Sequence, residues 1–344
     1  MTRNKTRYAL SRVAAVTLAV VAPFHSIASA DRGAIYAAKD IRIEEPAQRA
    51  IIAHDGAREI LILQTDVRAD KETKVVEFMP LPSKPEVSLA PEDCFASLQE
   101  ICRTHNIRYE FRYRGEGGGS DDTVKVVVAA ELGPHNVTVV EIADADDFVT
   151  WTEGFFREND LGEPLLGENL REIVADYLDR GFRFFAFDVV ALSPDTKTVQ
   201  PLTYDFECDH FYYPLVVTNL YGGLGTVELF TILAERDQPR FLEIHDQMRR
   251  SLKGPTLPDS SLDPKEQAAY FMWRAKWSTR AKIGAEELLL LHPRFADIMA
   301  GGDGGAWLQA IRHWGRLDFH SDIWVPMQPE RRTRRGVPTG RAAQ

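Results

Sequence analysis

The amino-acid sequence predicts an α+β protein, with a mainly antiparallel β-sheet and packed helices followed by a smaller C-terminal helical region. Two observations support this prediction. Between residues 31 and 237, short apolar or alternating runs recur with turn residues between them, as in antiparallel strands. From residue 238 to 329, apolar residues recur mainly at helical spacing, and Ile323–Pro326 is a candidate for one final strand. We therefore predict an antiparallel α+β domain at 31–237 and a helical region at 238–329.

The predicted sheet is organised around a hairpin. Ile51–Ala53 and Arg58–Val67 are strand-like runs. The dipeptide Asp55-Gly56 lies between them and is typical of a type I′ turn, which needs positive φ at both central residues. Lys74–Met79 is predicted to add a third strand. That strand is expected to end in an extended segment containing Pro80, Pro82 and Pro85.

The rest of the 31–237 domain alternates helices and strands. A first helix is predicted at Pro91–Arg103. A second begins at Asp144, which matches an N-cap with Asp147 at position N3. A third, Glu168–Asp179, ends at a C′ glycine, Gly181. Strands are predicted at Ile107–Arg114, Thr123–Ala130, Asn136–Ile142, Phe182–Leu192, Gln200–Cys208, Phe211–Asn219 and Thr226–Glu235.

The region after residue 237 is predicted to be helical. One helix begins with an N-cap and an N1 proline at Asp263-Pro264 and extends to Trp277. Its aromatic stripe could line a ligand groove, but packing of a small helical lobe is the favoured interpretation. The other predicted helices are Arg240–Leu252, Ala285–Ala300 and Ala306–Trp314.

Residues 1–30 are predicted to be a secretory signal peptide. Four basic residues precede the short apolar core Val13–Phe24, and Ala28-Ser29-Ala30 supplies a small-x-small cleavage site. The apolar run is shorter than the roughly 20 residues that a spanning helix requires. We therefore expect a protein that is exported to the periplasm or the extracellular space and does not span the membrane.

The charge distribution excludes one class of partner. Without residues 1–30, the chain has 37 Lys and Arg against 51 Asp and Glu, a net charge of −14. Residues 330–344 hold five arginines and one glutamate, so the remaining body carries −18. Nucleic-acid binding requires a basic surface, and we therefore expect no nucleic-acid partner. The basic segment at 330–344 is predicted to be a disordered tail that is inert, although contact with an anionic envelope surface is an alternative.

Three cysteines allow at most one internal disulfide. Cys94 and Cys102 lie eight residues apart on the predicted first helix, a separation of about 12 Å, which is too long for a disulfide. If a disulfide forms, we expect it to join Cys208 to Cys94 or to Cys102, and the sequence does not choose between them. Without a Cys-x-x-Cys pattern, neither a redox motif nor a zinc ribbon is supported.

Three groups of polar residues are candidates for a metal site: Glu207-Cys208-Asp209-His210; Asp318, His320 and Asp322; and Asp144, Asp146 and Asp147. Adjacent strand residues point to opposite faces, so a strand-end turn with a buried cysteine is the favoured interpretation of the first group. Alternation would place the second group on one face of a strand, where an ordinary polar face is favoured. The third group is better explained by helix capping. We therefore predict no metal ligands.

Motifs for catalysis or cofactor binding are missing from the sequence. It contains neither a Gly-x-Ser-x-Gly elbow nor a His-Glu-x-x-His pattern. The glycine-rich run at 115–119 is followed by two aspartates instead of the Lys-Ser/Thr of a phosphate-binding loop, and it is predicted to be a hairpin loop. We expect no cofactor, and catalytic residues stay unassigned.

Several stretches resemble, in the same order, a secreted family known as domain-of-unknown-function family 2330. They are QRAIIAHDGAREILILQTDV, VVEFMPLPSKPEV, LGPHNVTVVEIADADDFVTW, LREIVADYLDRGFRFFAFDVVAL, VQPLTYDFECDHFYYPLVVTNL and TVELFTILAERD, together covering about residues 48–237. The final HWGRLDFHSDIWVP loosely resembles the closing segment of that family. The resemblance implies secretion and a shared architecture. Many members begin with a cysteine- and glycine-rich run that this chain lacks, so no role of those cysteines transfers to it.

Two functions of different class are compatible with the sequence. The favoured one is a non-catalytic envelope or extracellular protein that binds another protein or an envelope-surface ligand. The alternative is a secreted hydrolase of unrecognised type. A cleft with a buried polar cluster would favour the enzyme, and an exposed apolar patch or open strand edge would favour the binding protein.

Overall fold

The computed structural model describes residues 33–35, 37, 41, 43–109, 135, 137–195, 197–198, 200–220, 224–253, 276–299 and 305–327. Several predictions concern residues outside these ranges. They are the signal peptide at 1–30, the glycine-rich loop, the strand Thr123–Ala130, the start of the helix at Asp263 and the basic segment at 330–344.

The secondary structure is summarised here by its bounds. The strands are β1 Gly33–Ile35, β2 Ile43–His54, β3 Arg58–Ala69, β4 Thr73–Leu81, β5 Glu86–Leu89, β6 Val137–Glu141, β7 Phe184–Leu192, β8 Lys197–Thr198, β9 Leu202–Glu207, β10 His210–Tyr213, β11 Leu224–Ala234, β12 Lys276–Trp277, β13 Ala281–Gly284, β14 Gly305–Arg316 and β15 Ile323–Pro326. The helices are α1 Cys94–Thr104, α2 Ala145–Glu158, α3 Glu168–Asp179, α4 Arg240–Ser251, α5 Ala285–Leu291 and α6 Pro293–Met299. No described helix is both long enough and apolar enough to cross a membrane.

The strands form a mixed α+β fold with mostly antiparallel sheets. The largest sheet has nine strands in the order β12-β14-β11-β2-β3-β9-β5, with β13 also paired to β14 and β8 also paired to β3. Within it, β11 runs parallel to β2, and the other pairs are antiparallel. A second sheet has the order β1-β4-β7-β6, and β10 pairs with β15. The predicted fold class, including helices after residue 237, is confirmed.

The nine-stranded sheet is covered on both faces. Alternation along β2 sends Ile52 to one face and Ile51 to the other, and both side chains are fully buried. The Ile52 face contributes to a core that also includes residues of the second sheet and of α2, α3 and α4. The Ile51 face packs against α1, α5 and α6. Burial on both sides explains why the central strands read as nearly continuous apolar runs.

The predicted hairpin is confirmed, but its turn differs from the predicted type. His54 pairs with Glu59 at the end of the β2–β3 ladder, which leaves the four residues Asp55 to Arg58 in the turn. The Asp55 Oδ1 atom accepts hydrogen bonds from the amides of Ala57 (2.8 Å) and Arg58 (2.9 Å). Gly56 has φ +101°, whereas Asp55 does not have positive φ. The backbone of Asp55 thus excludes a type I′ turn. The hydrogen bonds of the Asp55 side chain stabilise the observed turn instead.

Replacing Gly56 by valine is expected to lower the free energy of unfolding by more than about 1 kcal/mol, since a β-branched residue resists positive φ. Gly154 supplies a matched control. It lies inside α2, and a Cβ added there meets no atom within 4 Å. Gly154→Ala should raise stability by about 0.5–1 kcal/mol. Urea unfolding of both variants measures these changes, and unchanged stability of Gly56→Val would count against the strained turn.

The third predicted strand exists but belongs to the other sheet. β4 pairs with β1 and β7 and runs through Pro80 to Leu81. It cannot extend the hairpin because the free edge of β3 is already occupied by β9 and, at Asp66 and Val67, by β8. The strand therefore ends two residues later than the predicted Met79, and the predicted three-stranded unit is divided between two sheets.

The predictions for helices α1 to α4 are confirmed to within a few residues at each end. The Asp144 side chain caps α2 by accepting from the amides of Asp146 and Asp147. Gly181, with φ +89°, follows the end of α3. Phe182–Leu192 corresponds to β7, an inner strand of the second sheet, whereas Phe211–Asn219 divides into β10 and a short 3-10 helix. From Ile107–Arg114, the described part extends only to Tyr109, which bridges to Ser278.

The helix prediction for Ala306–Trp314 is wrong. These residues form β14, which pairs with β11 and adds strands to the large sheet. The segment alternates Ala306, Leu308 and Ala310 toward one face of the sheet, a period of two that favours a strand. Trp277, predicted at the end of a helix, lies in β12. Ala285–Ala300 is divided into α5 and α6 at an extended His292, because the residue before a proline disfavours the helical conformation.

The prediction that a disulfide, if one forms, joins Cys208 to Cys94 or Cys102 is wrong. All three cysteines are buried free thiols. Cys94 and Cys102 belong to the core beneath α1, α5 and α6, whereas Cys208 belongs to the core on the opposite face of the nine-stranded sheet. A disulfide between Cys208 and either of the others would have to cross the sheet, which the geometry of the bond forbids.

Candidate functional site

The side chains of Asp318, His320 and Asp322 do not form a common polar face. They precede β15 and do not lie within it. Asp318 forms an ion pair with Lys253 (Oδ1 to Nζ, 2.8 Å), and the His320 Nδ1 atom is 2.7 Å from the Ser251 carbonyl oxygen. Asp322 is buried elsewhere, among hydrogen-bond donors. Within the described ranges, no three His, Cys, Asp or Glu side chains are grouped to hold a metal ion.

Asp322 is a structural anchor. Its Oδ1 atom accepts from the Tyr177 hydroxyl (2.9 Å) and from the amides of Leu215 and Val216 (2.8 Å each). Its Oδ2 atom accepts from the Arg180 guanidinium (2.8 Å). Burial raises the pKa of this carboxyl, and Arg180 acts in the opposite direction. The carboxylate thus fixes α3 and the segment after β10 against the start of β15.

The group Glu207-Cys208-Asp209-His210 forms the turn between β9 and β10. Cys208 points inward and is buried, whereas Glu207 and Asp209 point outward and are exposed. The turn packs against the β2–β3 hairpin, since the Cys208 amide donates to the Ala57 carbonyl oxygen (2.9 Å). The interpretation as a strand-end turn with a buried cysteine is confirmed.

This turn and the segment around Asp318 do not meet. In the β10–β15 ladder, His210 lies opposite Pro326, and Tyr213 lies opposite Ile323. Asp209 is therefore at one end of the ladder, and Asp318 lies beyond the other end. The two groups of candidate residues belong to different parts of the surface.

The outward face of the β9–β10 turn borders an open cleft of about 450 Å³. Four further parts of the fold complete its wall: the β2–β3 turn, the end of β4, the α3–β7 junction and β15. Its lining residues are Ala57, Pro82, Ser83, Arg180, Gly181, Phe182, Glu207, Cys208, Asp209 and Trp324. We call this the Trp324 cleft and treat it as the candidate functional site, because aromatic and charged side chains converge in it.

Aromatic rings form one side of the Trp324 cleft. The Trp324 ring stacks on the His210 imidazole, with centroids 4.4 Å apart and planes 13° apart. Phe182 lies 5.3 Å from Trp324, centroid to centroid. The Arg180 guanidinium lies 4.3 Å from the Tyr177 ring centroid and 5.0 Å from that of Phe182. This side of the cleft is therefore rigid and apolar, with a cation at its edge.

The charged side of the cleft is acidic. The Asp209 side chain is 71% exposed, and its Oδ1 atom is 2.6 Å from His210 Nδ1. Glu207 is also exposed. Arg180 is engaged by two other carboxylates, with its Nη2 atom 2.8 Å from Asp322 and its Nε atom 3.1 Å from Asp176. Glu207 and Asp209 therefore present negative charge at the mouth of the cleft.

The thiol and hydroxyl groups that line the cleft are not activated for nucleophilic attack. Burial, with a further contribution from Glu59, raises the pKa of the Cys208 thiol to about 12, so the thiol is protonated at neutral pH. The Ser83 hydroxyl donates to the Glu207 carbonyl oxygen at 2.6 Å. Neither group carries the base that a catalytic nucleophile requires.

Two ionisable groups are buried behind the cleft. His54 accepts from the Gly56 amide at Nδ1 (2.8 Å) and lies 3.0 Å from the His210 carbonyl oxygen at Nε2, which assigns the proton to Nε2. Burial lowers the pKa of His54 to about 4. Burial also raises the pKa of Glu59, which accepts from the Tyr212 amide through Oε2, whereas its Oε1 atom has no hydrogen-bond partner.

A row of polar side chains crosses the Ile51 face of the nine-stranded sheet, which α1, α5 and α6 cover. Arg312, Glu228, Arg49 and Gln64 are cross-strand neighbours on β14, β11, β2 and β3. The Tyr109 hydroxyl donates to Glu228, and burial raises the pKa of that carboxyl. Each of these polar residues has an apolar residue two positions away on at least one side, and a polar position on an otherwise apolar strand face is the sequence signal that would have identified this row.

A second cleft, of about 620 Å³, lies at the end of α2. Its lining residues are Glu153, Phe156, Arg157, Asp160, Gly162, Glu163, Pro164 and Leu166. The aspartates at the start of α2 lie outside this lining. Asp144 caps the helix, and Asp146 forms an ion pair with Arg171, so helix capping is confirmed as the explanation of that group.

The sequence pattern indicated Glu207, Cys208 and Asp209 only as a possible metal group that was interpreted as a turn, and it contained no signal for Arg180 and Trp324. Arg180 ends a helix, and Trp324 lies in a short strand, so neither has a local signal of function. The pairing of β10 with β15 joins segments more than 100 residues apart in the chain. Only that non-local pairing brings Trp324 to the cleft.

Comparisons with known proteins give one family and distant structural likenesses. A family described as "uncharacterized protein conserved in bacteria (DUF2330)" matches residues 27–300. The crystal structure of baculovirus P35 is similar with a TM-score of 0.41 and 9% identity over 85% of this chain and 98% of that one. A mutated baculovirus P35 after caspase cleavage has a TM-score of 0.38 and 8% identity over 82% and 97%. The curated proteins contain no match to this chain.

Proposed function

We propose that this chain, which belongs to the DUF2330 family of uncharacterised proteins conserved in bacteria, is an exported, non-catalytic binding protein. Its partner is another protein or an envelope-surface ligand, and the binding site is the Trp324 cleft. One observation carries this proposal: an aromatic ring and two exposed carboxylates share an open cleft whose thiol is protonated. Tryptophan is among the residue types that most often dominate binding energy.

The rigidity of the cleft supports binding. Trp324 is held by His210 and Phe182, and Arg180 is held by Asp322. Side chains that are already ordered lose little conformational entropy when a partner binds, so more of the interaction energy remains as affinity.

Site-specific photo-crosslinking tests the proposal. A photoreactive residue replaces Lys84, which is exposed and adjacent to the lining residue Ser83, in the full chain expressed in an exporting bacterium. Leu242, which is 63% exposed on α4, is the control position. We expect a defined adduct to another molecule from position 84 and none from position 242.

Substitution of Trp324 sharpens the crosslinking test. Trp324→Ala should weaken the adduct at least fivefold, and Trp324→Phe should retain most of it because an aromatic ring remains. Thermal unfolding of each variant confirms that the fold is kept. The same adducts from positions 84 and 242, or no adduct from position 84, would contradict recognition of an external partner by the cleft.

Export is the second part of the proposal, and it predicts cleavage after Ala30. The basic start, the short apolar core and the Ala28-Ser29-Ala30 motif support it. N-terminal sequencing of the exported protein should give Asp31 as the first residue. A product that still begins with Met1 or that stays in the cytoplasm would overturn this part of the proposal.

The Asp209–His210 pair favours the alternative, a secreted hydrolase. A carboxylate that orients an imidazole is the usual arrangement of a general base in hydrolases. We expect no hydrolysis of ester and peptide substrates by the wild-type protein. Turnover that disappears in His210→Gln while the fold is kept would establish the enzyme instead.

A further inference from the structure

The described chain ends beside the acidic mouth of the Trp324 cleft. β15 runs antiparallel to β10, and after its last residue the Met327 amide donates to the Asp209 carbonyl oxygen at 2.9 Å. Met327 is only 2% exposed. Residue 328 therefore follows a position fixed next to one of the two exposed carboxylates of the cleft.

The residues that follow carry the opposite charge. Arg331, Arg332, Arg334 and Arg335 lie within eight residues of Met327. An extended chain spans about 3.3–3.6 Å per residue, so the first two arginines can lie up to roughly 18 Å from Met327. A cleft of about 450 Å³ that is bordered by Asp209 is within this range.

The chemistry of the cleft matches guanidinium groups. Glu207 and Asp209 are exposed carboxylates, which bind arginine through paired hydrogen bonds. The Trp324 ring lines the same cleft and favours a cation near it. Arg180 does not neutralise this site, because Asp176 and Asp322 already bind its guanidinium.

We infer that the Trp324 cleft binds the chain's own basic segment, residues 331–335, whose arginines pair with Glu207 and Asp209. This inference rests on the proposed function of the cleft as a binding site. A covalently joined segment acts at an effective concentration in the millimolar range. An external partner must displace it, so the segment regulates the cleft, and a partner that competes well carries clustered basic side chains of its own.

The test uses the full chain with Arg331, Arg332, Arg334 and Arg335 all replaced by glutamine, which we call the neutral-segment chain. The probe is a fluorescent synthetic peptide with the native sequence of residues 327–344, and fluorescence anisotropy at 0.15 M salt measures its affinity. We expect the peptide to bind the neutral-segment chain at least tenfold more tightly than the wild-type chain. In the wild-type chain the native segment competes for the cleft.

Two matched pairs of substitutions locate the binding site. Glu207→Gln with Asp209→Asn, made in the neutral-segment chain, should weaken peptide binding at least tenfold. Glu153→Gln with Glu163→Gln removes the same charge from exposed positions of the α2 cleft, and the affinity should change by less than twofold. Thermal unfolding of each variant shows that the fold is kept.

Three outcomes would overturn the inference: no saturable peptide binding to the neutral-segment chain, equal affinity for the neutral-segment and wild-type chains, or equal loss in the two pairs of acid substitutions. The last would mean general attraction to an acidic body. An adduct from position 84 to an external partner, combined with any of these results, would leave the proposed function standing. Peptide binding without an external adduct would support the inference and contradict recognition of a separate partner.

Discussion

Replacing Asp322 by alanine is expected to lower the free energy of unfolding by about 3–5 kcal/mol. The substitution removes the acceptor of four hydrogen bonds, which come from Tyr177, Arg180, Leu215 and Val216. Two of the four donors are backbone amides and a third is the buried Tyr177 hydroxyl, and the guanidinium of Arg180 loses its buried counter-ion. Each unsatisfied group adds its own desolvation cost.

Asp318 provides the control for this prediction. It lies four residues earlier, and its side chain is 33% exposed in an ion pair with the half-exposed Lys253. Ion pairs of this kind contribute little, so Asp318→Ala should change stability by less than about 1 kcal/mol. Denaturant unfolding of the two variants measures the difference. Similar small losses would mean that Asp322 is not the anchor that we describe.

Acid is expected to destabilise the protein through two buried histidines. Burial lowers the pKa of His54 and of His313 from 6.5 to about 4 in the folded state. Between pH 6.5 and about 4, the unfolded chain binds protons that the folded chain does not. Stability therefore falls as the pH falls through this window, by up to roughly 3 kcal/mol for each histidine.

The hydrogen bonds of the two imidazoles give a structural reason for the same effect. In His54, Nδ1 accepts from the Gly56 amide, so a proton on Nδ1 would oppose that donor. In His313, Nε2 lies 3.0 Å from the Arg316 carbonyl oxygen, and the buried Nδ1 has no hydrogen-bond partner. A charged imidazole has no acceptor for its second proton at either position.

Comparison of variants isolates the contribution of the histidines. Buried Glu59, Glu228 and Asp322 have raised pKa values, which favour the folded state as the pH falls and partly offset the histidines. The quantity to measure is the loss of unfolding free energy between pH 7 and pH 4.5. We expect this loss to shrink in His54→Gln and in His313→Gln and to stay the same in the exposed control His320→Gln. Equal losses in all four proteins would contradict the prediction.

Elements with local signals were predictable from the sequence. The cap at Asp144 and the glycine at Gly181 mark helix ends because each acts within one turn of its own helix. The β2–β3 hairpin was predictable because its turn is encoded next to its strands. The turn type was not predictable, since the hydrogen bonds of the Asp55 side chain stabilise a backbone conformation that differs from a type I′ turn.

Elements that depend on distant partners were not predictable. The period of two in Ala306–Trp314 favours a strand, but its residues also tolerate a helix, and pairing with β11 decides between the two. The candidate site shows the same division. The turn at Cys208 and Asp209 was interpreted correctly from adjacent residues, whereas the contributions of Arg180 and Trp324 depend on how α3 and β15 pack.

The parallel pairing of β11 with β2 has a consequence for folding kinetics. The paired residues are about 180 positions apart, and β11 separates the early hairpin from the late strand β14. During synthesis, β2 and β3 can pair at once, but the other edge of β2 stays open until residue 233 is available. Contacts of such long range make folding slow, and open strand edges aggregate in the meantime. We expect refolding on a timescale of milliseconds to seconds or slower, with a yield that falls as the protein concentration rises.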